Sequence, residues 1–437
     1  MIKLLVFVIL IFPGCQNLNG GKIIESVYPN DSEKISAFGW VGVNFSKQVI
    51  KETAEDAFSI TPNTRGELIW EGNTLRFRTI QAFDLDTEYF ARLSGEIRLE
   101  NGKLIPVDCT WKFTIREPDL IYFVPSYEGG EIWRASPDGG QAQQLTFTGN
   151  RVLEFSPDRS GSAIAYTVQN ETGGENLWLM NRDGEEQELL LDCERDICGE
   201  PAWSMDNQRM AYTRQVYQHE FDRYQPAQIW TVDIETGETA QLYQSDWAFG
   251  HSPYFSPDGN RLAFYDTINK GIRILDLTTS QESIVPSALS GSGDWSPDGS
   301  EIIYTDLVAA ENEPFVVLKV LDLETKVVET VLDVGMSDTD FSQPRWSPDG
   351  ESIAVSLRPV NSNISKTLWV LRLDGLVSRQ VTDDPSATFT GYEWDPWGDR
   401  LIFQRYKLGS AEKSIWLWES GEVKQIIEKG SRPKWLP

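Results

Sequence analysis

The chain has 437 residues, 40% of them hydrophobic and 11% aromatic, with 16 Trp. This is too long for one ordinary domain, and the large flat side chains suit the packing of all-β cores. A formal net charge of −27 repels a nucleic-acid backbone, which argues against DNA or RNA as partners and leaves cationic partners open.

In chain order, Met1-Ile2-Lys3 is a short positive start, Leu4 to Phe12 is continuously apolar, and Pro13-Gly14-Cys15 follows. Residues 1–15 therefore read as a secretory signal, because the apolar run is far shorter than the roughly 20 residues of a membrane-spanning helix. The Gly14-Cys15 end resembles a bacterial lipobox. That resemblance implies cleavage before Cys15 and lipid attachment there. Phe12 and Pro13 depart from the usual pattern, and a plain secretory signal is the alternative. Residues 16–22, polar and Gly-containing, read as a flexible tether.

Residues 23–117 predict a small β-sandwich. Seven short runs alternate with period two: Ile24–Tyr28, Phe38–Phe45, Phe58–Ile60, Glu67–Trp70, Thr74–Phe77, Glu88–Leu93 and Thr110–Ile115. Asn, Gly, Asp and Pro clusters separate them. The phrases VYPND, VGVNFSKQV, FSITP and TWKFTI resemble the bacterial Ig-like domain of surface proteins, a resemblance that implies a spacer or adhesive module. Cys109 alternates with Trp111 and Phe113, which predicts a small buried hydrophobe on an inward face.

Residues 118–437 repeat. Phe255-Ser-Pro-Asp-Gly, Trp295-Ser-Pro-Asp-Gly and Trp346-Ser-Pro-Asp-Gly are intact copies of one phrase. Phe155, Trp203 and Trp394 head degraded copies, Trp435 heads a truncated one, and successive anchors lie 40 to 52 residues apart. Pro sets the first corner of a tight turn, Asp suits the second, and Gly takes the left-handed position, so each phrase is a hairpin. Alternating strands follow, such as Leu262–Phe264, Ile229–Val232 and Gln380–Thr382. Four strands per repeat make a propeller blade. The phrases W-S-P-D-G, I-x-F, I-W-x-x-D and L-T recur in that order and closely resemble the TolB-type repeat. Seven copies predict seven blades, where that family usually has six. The first blade starts at its second strand near Leu120, so Arg432 to Leu436 is expected to fill the vacant innermost place and clasp the ring.

Uniform turns on one face leave the opposite face, with its long loops, as the place for binding. There, Tyr217, His219, Phe221, Arg223 and Tyr224 crowd one loop, and Trp247, Phe249 and His251 lie on the next crossing with Asp246. They are the candidate binding patch for a protein or glycan; capping of the core is the plainer reading. Cys193 and Cys198, in a polar loop, predict a local disulfide in an oxidising compartment. Asp192, Glu194 and Asp196, the pair Asp338 and Asp340, and the pair Asp383 and Asp384 read as solvated loop charge, because no spaced calcium-loop pattern appears. Asp258, Asp298 and Asp349 are turn residues. Two His and no Gly-x-Ser-x-Gly elbow leave no catalytic residue, metal or cofactor to assign. The expected function is an extracytoplasmic, lipid-anchored, non-catalytic scaffold that binds a protein or cell-envelope polymer and touches the membrane through its lipid only. A glycan-acting propeller enzyme and a passive structural lipoprotein are the alternatives.

Overall fold

The structure is a computed structural model. It describes residues 15–16, 23–125, 129–243, 248–308, 314–331, 339–360, 362–373, 378–407, 409–410 and 412–437. Two compact units divide it, residues 1–117 with 437, and residues 118–436. Residues 1–14 of the expected signal 1–15, and residues 17–22 of the expected tether, lie outside the described residues.

The first unit is a two-sheet sandwich. One sheet runs in the order Ile24–Tyr28, Val41–Phe45, Thr74–Thr79, Gly66–Glu71. The other carries Leu104–Ile115, Tyr89–Arg98 and Phe58–Thr61, with Glu33–Ile35 pairing parallel to Leu104–Ile115. Val41, Val43 and Phe45 from one sheet and Ala91, Leu93, Trp111 and Phe113 from the other are all buried. Phe83 fills the end of this core, with its ring 4.9 Å from Tyr89 and 5.3 Å from Phe113. A helix at Lys51–Ala57, which the strand periodicity did not reveal, buries only Ala54 and Ala57. Cys15–Gln16 forms a short strand pairing with Cys109 and Asp108, so Gln16 belongs to a sheet rather than to a tether. Cys109 is buried as expected, but it is disulfide-bonded and so is not merely a small hydrophobe.

The second unit is a propeller of seven four-stranded blades among the described residues. Blade 1 combines Ser431–Leu436, Asp119–Pro125, Gly130–Ala135 and Gln143–Gln144. Blades 2 to 7 begin with the inner strands Val152–Pro157, Ile197–Trp203, Gly250–Phe255, Asp294–Trp295, Thr339–Trp346 and Ala387–Trp394. Asp119 faces Leu436 and Leu120 faces Trp435, which is the expected clasp.

Second strands are apolar on both faces because each lies between two neighbouring blades. Ile302 and Tyr304 enter the core shared with blade 4, whereas Ile303 enters the core shared with blade 6. The same alternation around the ring yields seven interblade cores. The last joins Ile402, Ile415 and Leu417 of blade 7 to Leu120, Tyr122 and Trp435 of blade 1. Four of the five anchor tryptophans, all but Trp346, add a polar tie across these cores. Trp203 Nε1 donates to the Ser156 carbonyl at 2.9 Å, and Trp295, Trp394 and Trp435 reach Tyr254, Arg345 and Glu393 of the preceding blade at 3.3 Å. Phe cannot supply this donor.

In the turns, Ser256, Ser296 and Ser347 donate their hydroxyls to Asp258, Asp298 and Asp349 at 2.5–2.7 Å. The same aspartates accept the backbone N–H of Asn260, Ser300 and Glu351. Gly259, Gly299 and Gly350 take φ of 73–75°, the left-handed position that an L side chain disfavours.

Candidate functional site

The long-loop face of blade 3 carries a built arm. Tyr217–Gln218 pairs with Arg223–Tyr224 in a small hairpin. The Tyr217 ring meets His219 edge-on at 5.0 Å and Tyr224 at 5.3 Å. At the tip, Phe221 is 57% exposed, and the Arg223 guanidinium sits 5.1 Å from its ring.

A neighbouring loop holds the arm in place. Cys193 and Cys198 are joined in a disulfide, and between them lie Arg195 and Asp196. Asp196 accepts the Tyr217 N–H at 2.8 Å and pairs with Arg214 at 2.7 Å. The Arg195 guanidinium stacks 3.8 Å from the Tyr217 ring centre, and Tyr224 Oη donates to the Gly173 carbonyl of blade 2 at 3.1 Å. The arm is thus tied at its base while its apolar tip stays in solvent.

The other half of the expected patch is elsewhere. His251 lies 5.2 Å from Tyr265, with Nδ1 3.1 Å from Ser252 Oγ, at the start of the blade 4 inner strand. Phe249 is half-buried beside it, its carbonyl accepting the Thr267 N–H. These contacts do not include the arm, so the seven described residues of the set make two separate groups of contacts. Trp247, Asp246 and Asp338 lie outside the described residues. Three acidic loop residues are tied rather than simply solvated. Besides Asp196, Asp340 pairs with Arg358 at 2.9 Å and Lys366 at 3.2 Å, and Asp384 pairs with Arg405.

His251 points to a second region that the loop argument passed over, the wall of the central channel. Inner strands bulge where the ladder register shifts, and Glu200, Ser252, Gln343 and Arg432 sit there with φ of 50–56°. Three of these four bulged N–H groups are bound by the neighbouring blade. Glu154 accepts from Glu200 at 2.8 Å, Glu200 from Ser252 at 2.6 Å, and Gln404 from Arg432 at 3.0 Å. Farther round, Asp294 pairs with Arg345 at 3.3 Å and Glu393 with Lys434 at 3.8 Å. Burial pushes the carboxyls of Asp294 and Glu393 up, against the pull of those cations. On the blade 2–3 side, burial and then the like charge of Glu154 raise Glu175 to about 7, and burial also raises Glu200. No group of three His, Cys, Asp or Glu side chains among the described residues is arranged to hold a metal ion.

No family model matches the chain. An uncharacterized protein of Agrobacterium fabrum is 24% identical over 250 residues, covering 54% of this chain and 81% of that protein. TolB from Acinetobacter baumannii is 19% identical, with 73% of this chain and 82% of that one covered and a TM-score of 0.44. The β-propeller domain of the Trilobed protease from Pyrococcus furiosus is 13% identical, with 72% and 97% covered and a TM-score of 0.50. The last of these shows the fold, a β-propeller. That propeller domain is described as having an open velcro topology, whereas here the ring is clasped by Ser431–Leu436.

Proposed function

We propose that this protein is a non-catalytic binding scaffold outside the cytoplasm, and that its arm on the long-loop face engages a protein or cell-envelope polymer. The observation that carries this reading is the arm itself. A solvent-exposed Phe221 under an arginine, on a hairpin immobilised through Asp196 and Arg195, has the form of a rigid aromatic anchor. Such anchors bind at low entropic cost. The TolB-like character of the repeats supports the same reading, as does a disulfide suited to an oxidising compartment.

The test is capture from envelope extracts with the mature protein and with a Tyr217, Phe221, Tyr224 triple alanine variant. We expect the variant to melt as wild type does and to lose the captured species, with affinity down at least about tenfold. Equal recovery by both would overturn the role of the arm. The glycan-acting alternative predicts turnover of a carbohydrate panel by the wild type.

Membrane attachment follows in this reading from the lipobox-like end of the leader, with lipid on Cys15. Cys109, whose backbone partner in the ladder is Cys15, is disulfide-bonded. Mass spectrometry of the mature N-terminus decides: a diacylglyceryl adduct on Cys15 supports the anchor, and its absence removes it.

A further inference from the structure

The geometry points to a calcium site between blades 2 and 3, at the channel wall, formed by Glu154, Glu175, Thr167 and Thr213 around the bare backbone of Gly199. Three independent features meet there. The first is an orphaned donor. Thr167 is 0% exposed, and its Oγ1 has no hydrogen-bond partner. Thr167 stands directly opposite Glu154 on one side and Leu177 on the other, and opposed residues in a ladder share a face. Leu177 enters the core between blades 2 and 3, so the Thr167 hydroxyl is directed into the same interblade space.

The second feature is uncompensated charge. A fully buried carboxylate of the propeller is satisfied by the protein, whereas Glu154 and Glu175 are half-buried. Glu131 accepts Thr146 Oγ1 at 2.6 Å and the N–H groups of Thr148 and Asn150 at 2.8 and 2.7 Å. The Glu175 carboxylate accepts no hydrogen bond among the described residues, and the charge that acts on it is the like charge of Glu154. Among the described residues, Glu154 accepts the Glu200 N–H, at 2.8 Å, and no other hydrogen bond. The basic groups in this part of the channel are committed to other partners, His251 beside Ser252 and Arg432 at the Leu153 carbonyl.

The third feature is space. A Cβ on Gly199 would lie 3.5 Å from Thr213 Oγ1 and 3.9 Å from an Oε2 of both Glu154 and Glu175. Oxygens from three strands thus surround one point that no side chain fills. Two carboxylates and two hydroxyls make a hard, all-oxygen set, which carries a charge of −2 once both carboxyls are ionised. Calcium takes such sets with six to eight ligands in flexible geometry, and water from the channel can complete the shell. Zinc and copper would require nitrogen or sulfur donors that are absent from the set.

The experiment is isothermal titration of the chelator-stripped mature protein with calcium, and with magnesium at matched ionic strength, alongside melting curves. We expect one calcium-specific isotherm and a calcium-dependent rise in melting temperature. Glu175→Gln should reduce affinity at least about tenfold while the metal-free protein stays as stable as wild type, since a like-charge pair is relieved. Gly199→Ala places a methyl at ordinary contact distance and should abolish binding without unfolding the chain. A Glu194→Gln control on the outer loop should bind calcium normally. The proposal is overturned by the absence of calcium binding in the wild type, or by binding that survives both Glu175→Gln and Gly199→Ala.

Discussion

At the scale of single residues, burial and partnering decide what a carboxylate does, and the propeller offers every combination. Asp306 is pulled upward by burial, but Lys319 at 2.7 Å and the N–H groups of Ala288 and Leu307 outweigh it and hold its pKa below the usual range. A carboxylate whose folded pKa is depressed contributes stability above its unfolded value of about 3.9. That contribution is lost as pH falls through the folded value. Asp306→Asn should therefore cost about 1–3 kcal/mol at pH 7 and flatten the loss of stability below about pH 4. Urea melts across that range are the check, and an unchanged acid slope would contradict the assignment. The turn aspartates Asp258, Asp298 and Asp349 were legible as structural from the sequence because their partners lie two residues away. The channel carboxylates were not. Glu154, Glu175 and Glu200 come from two blades, and only the ring brings them together. One signal was available: residues just before the anchor aromatics pair with one another from blade to blade, as Asp294 does with Arg345 and Glu393 with Lys434.

At the scale of elements, the arm and the disulfide loop act as one unit. Cys193 and Cys198 close a very short loop, so the cross-link stabilises the fold by about 2 kcal/mol in the chain-entropy account. It also fixes Asp196 beneath Tyr217. Replacing both cysteines by Ser should lower stability by about that amount and speed hydrogen exchange at 217–224 more than in blades 4 to 6. Uniform exchange across the ring would show that the loop does not steady the arm. The sequence placed the aromatics of this loop on the correct face but merged them with Phe249 and His251, since proximity along the chain says nothing about which side of an inner strand a residue occupies. The helix at Lys51–Ala57 was missed for a related reason. Its apolar contribution is two alanines, too little to make a helical period stand out among strands. The repeated Pro201, Pro253, Pro344 and Pro433, each two residues before an anchor, mark the inner-strand bulges and were readable in retrospect.

At the scale of the whole molecule, stability rests on a closed circuit of seven interblade cores. Deleting 431–437 removes Trp435 and Leu436 from two of them and exposes the edge of Asp119–Pro125. The loss should exceed about 5 kcal/mol and act on the propeller as one cooperative unit, visible as a large downward shift of its calorimetric transition. A propeller melt left unchanged by the deletion would show that closure is dispensable. Blade number and clasp were legible because the repeat phrases are local and can be counted. The proposed binding arm was less so, because it lies in a segment that departs from the repeat.

The clasp also has a kinetic consequence. Asp119 and Leu436 stand at opposite ends of the propeller sequence, so their pairing pays the loop-closure entropy of nearly the whole unit before any contact rewards it. Blades 2 to 7 are each built from a contiguous stretch of chain and can form by local pairing, while blade 1 waits for the final residues to arrive. Sealing the ring is expected to be the last and slowest step of maturation, with pulse-labelled amides of 431–436 and 119–125 protected after all others. During that interval the edge of Asp119–Pro125 is open to strands of other chains. Crowded copies refolding together should therefore exchange their terminal strands, which would give interlocked dimers whose yield rises with concentration.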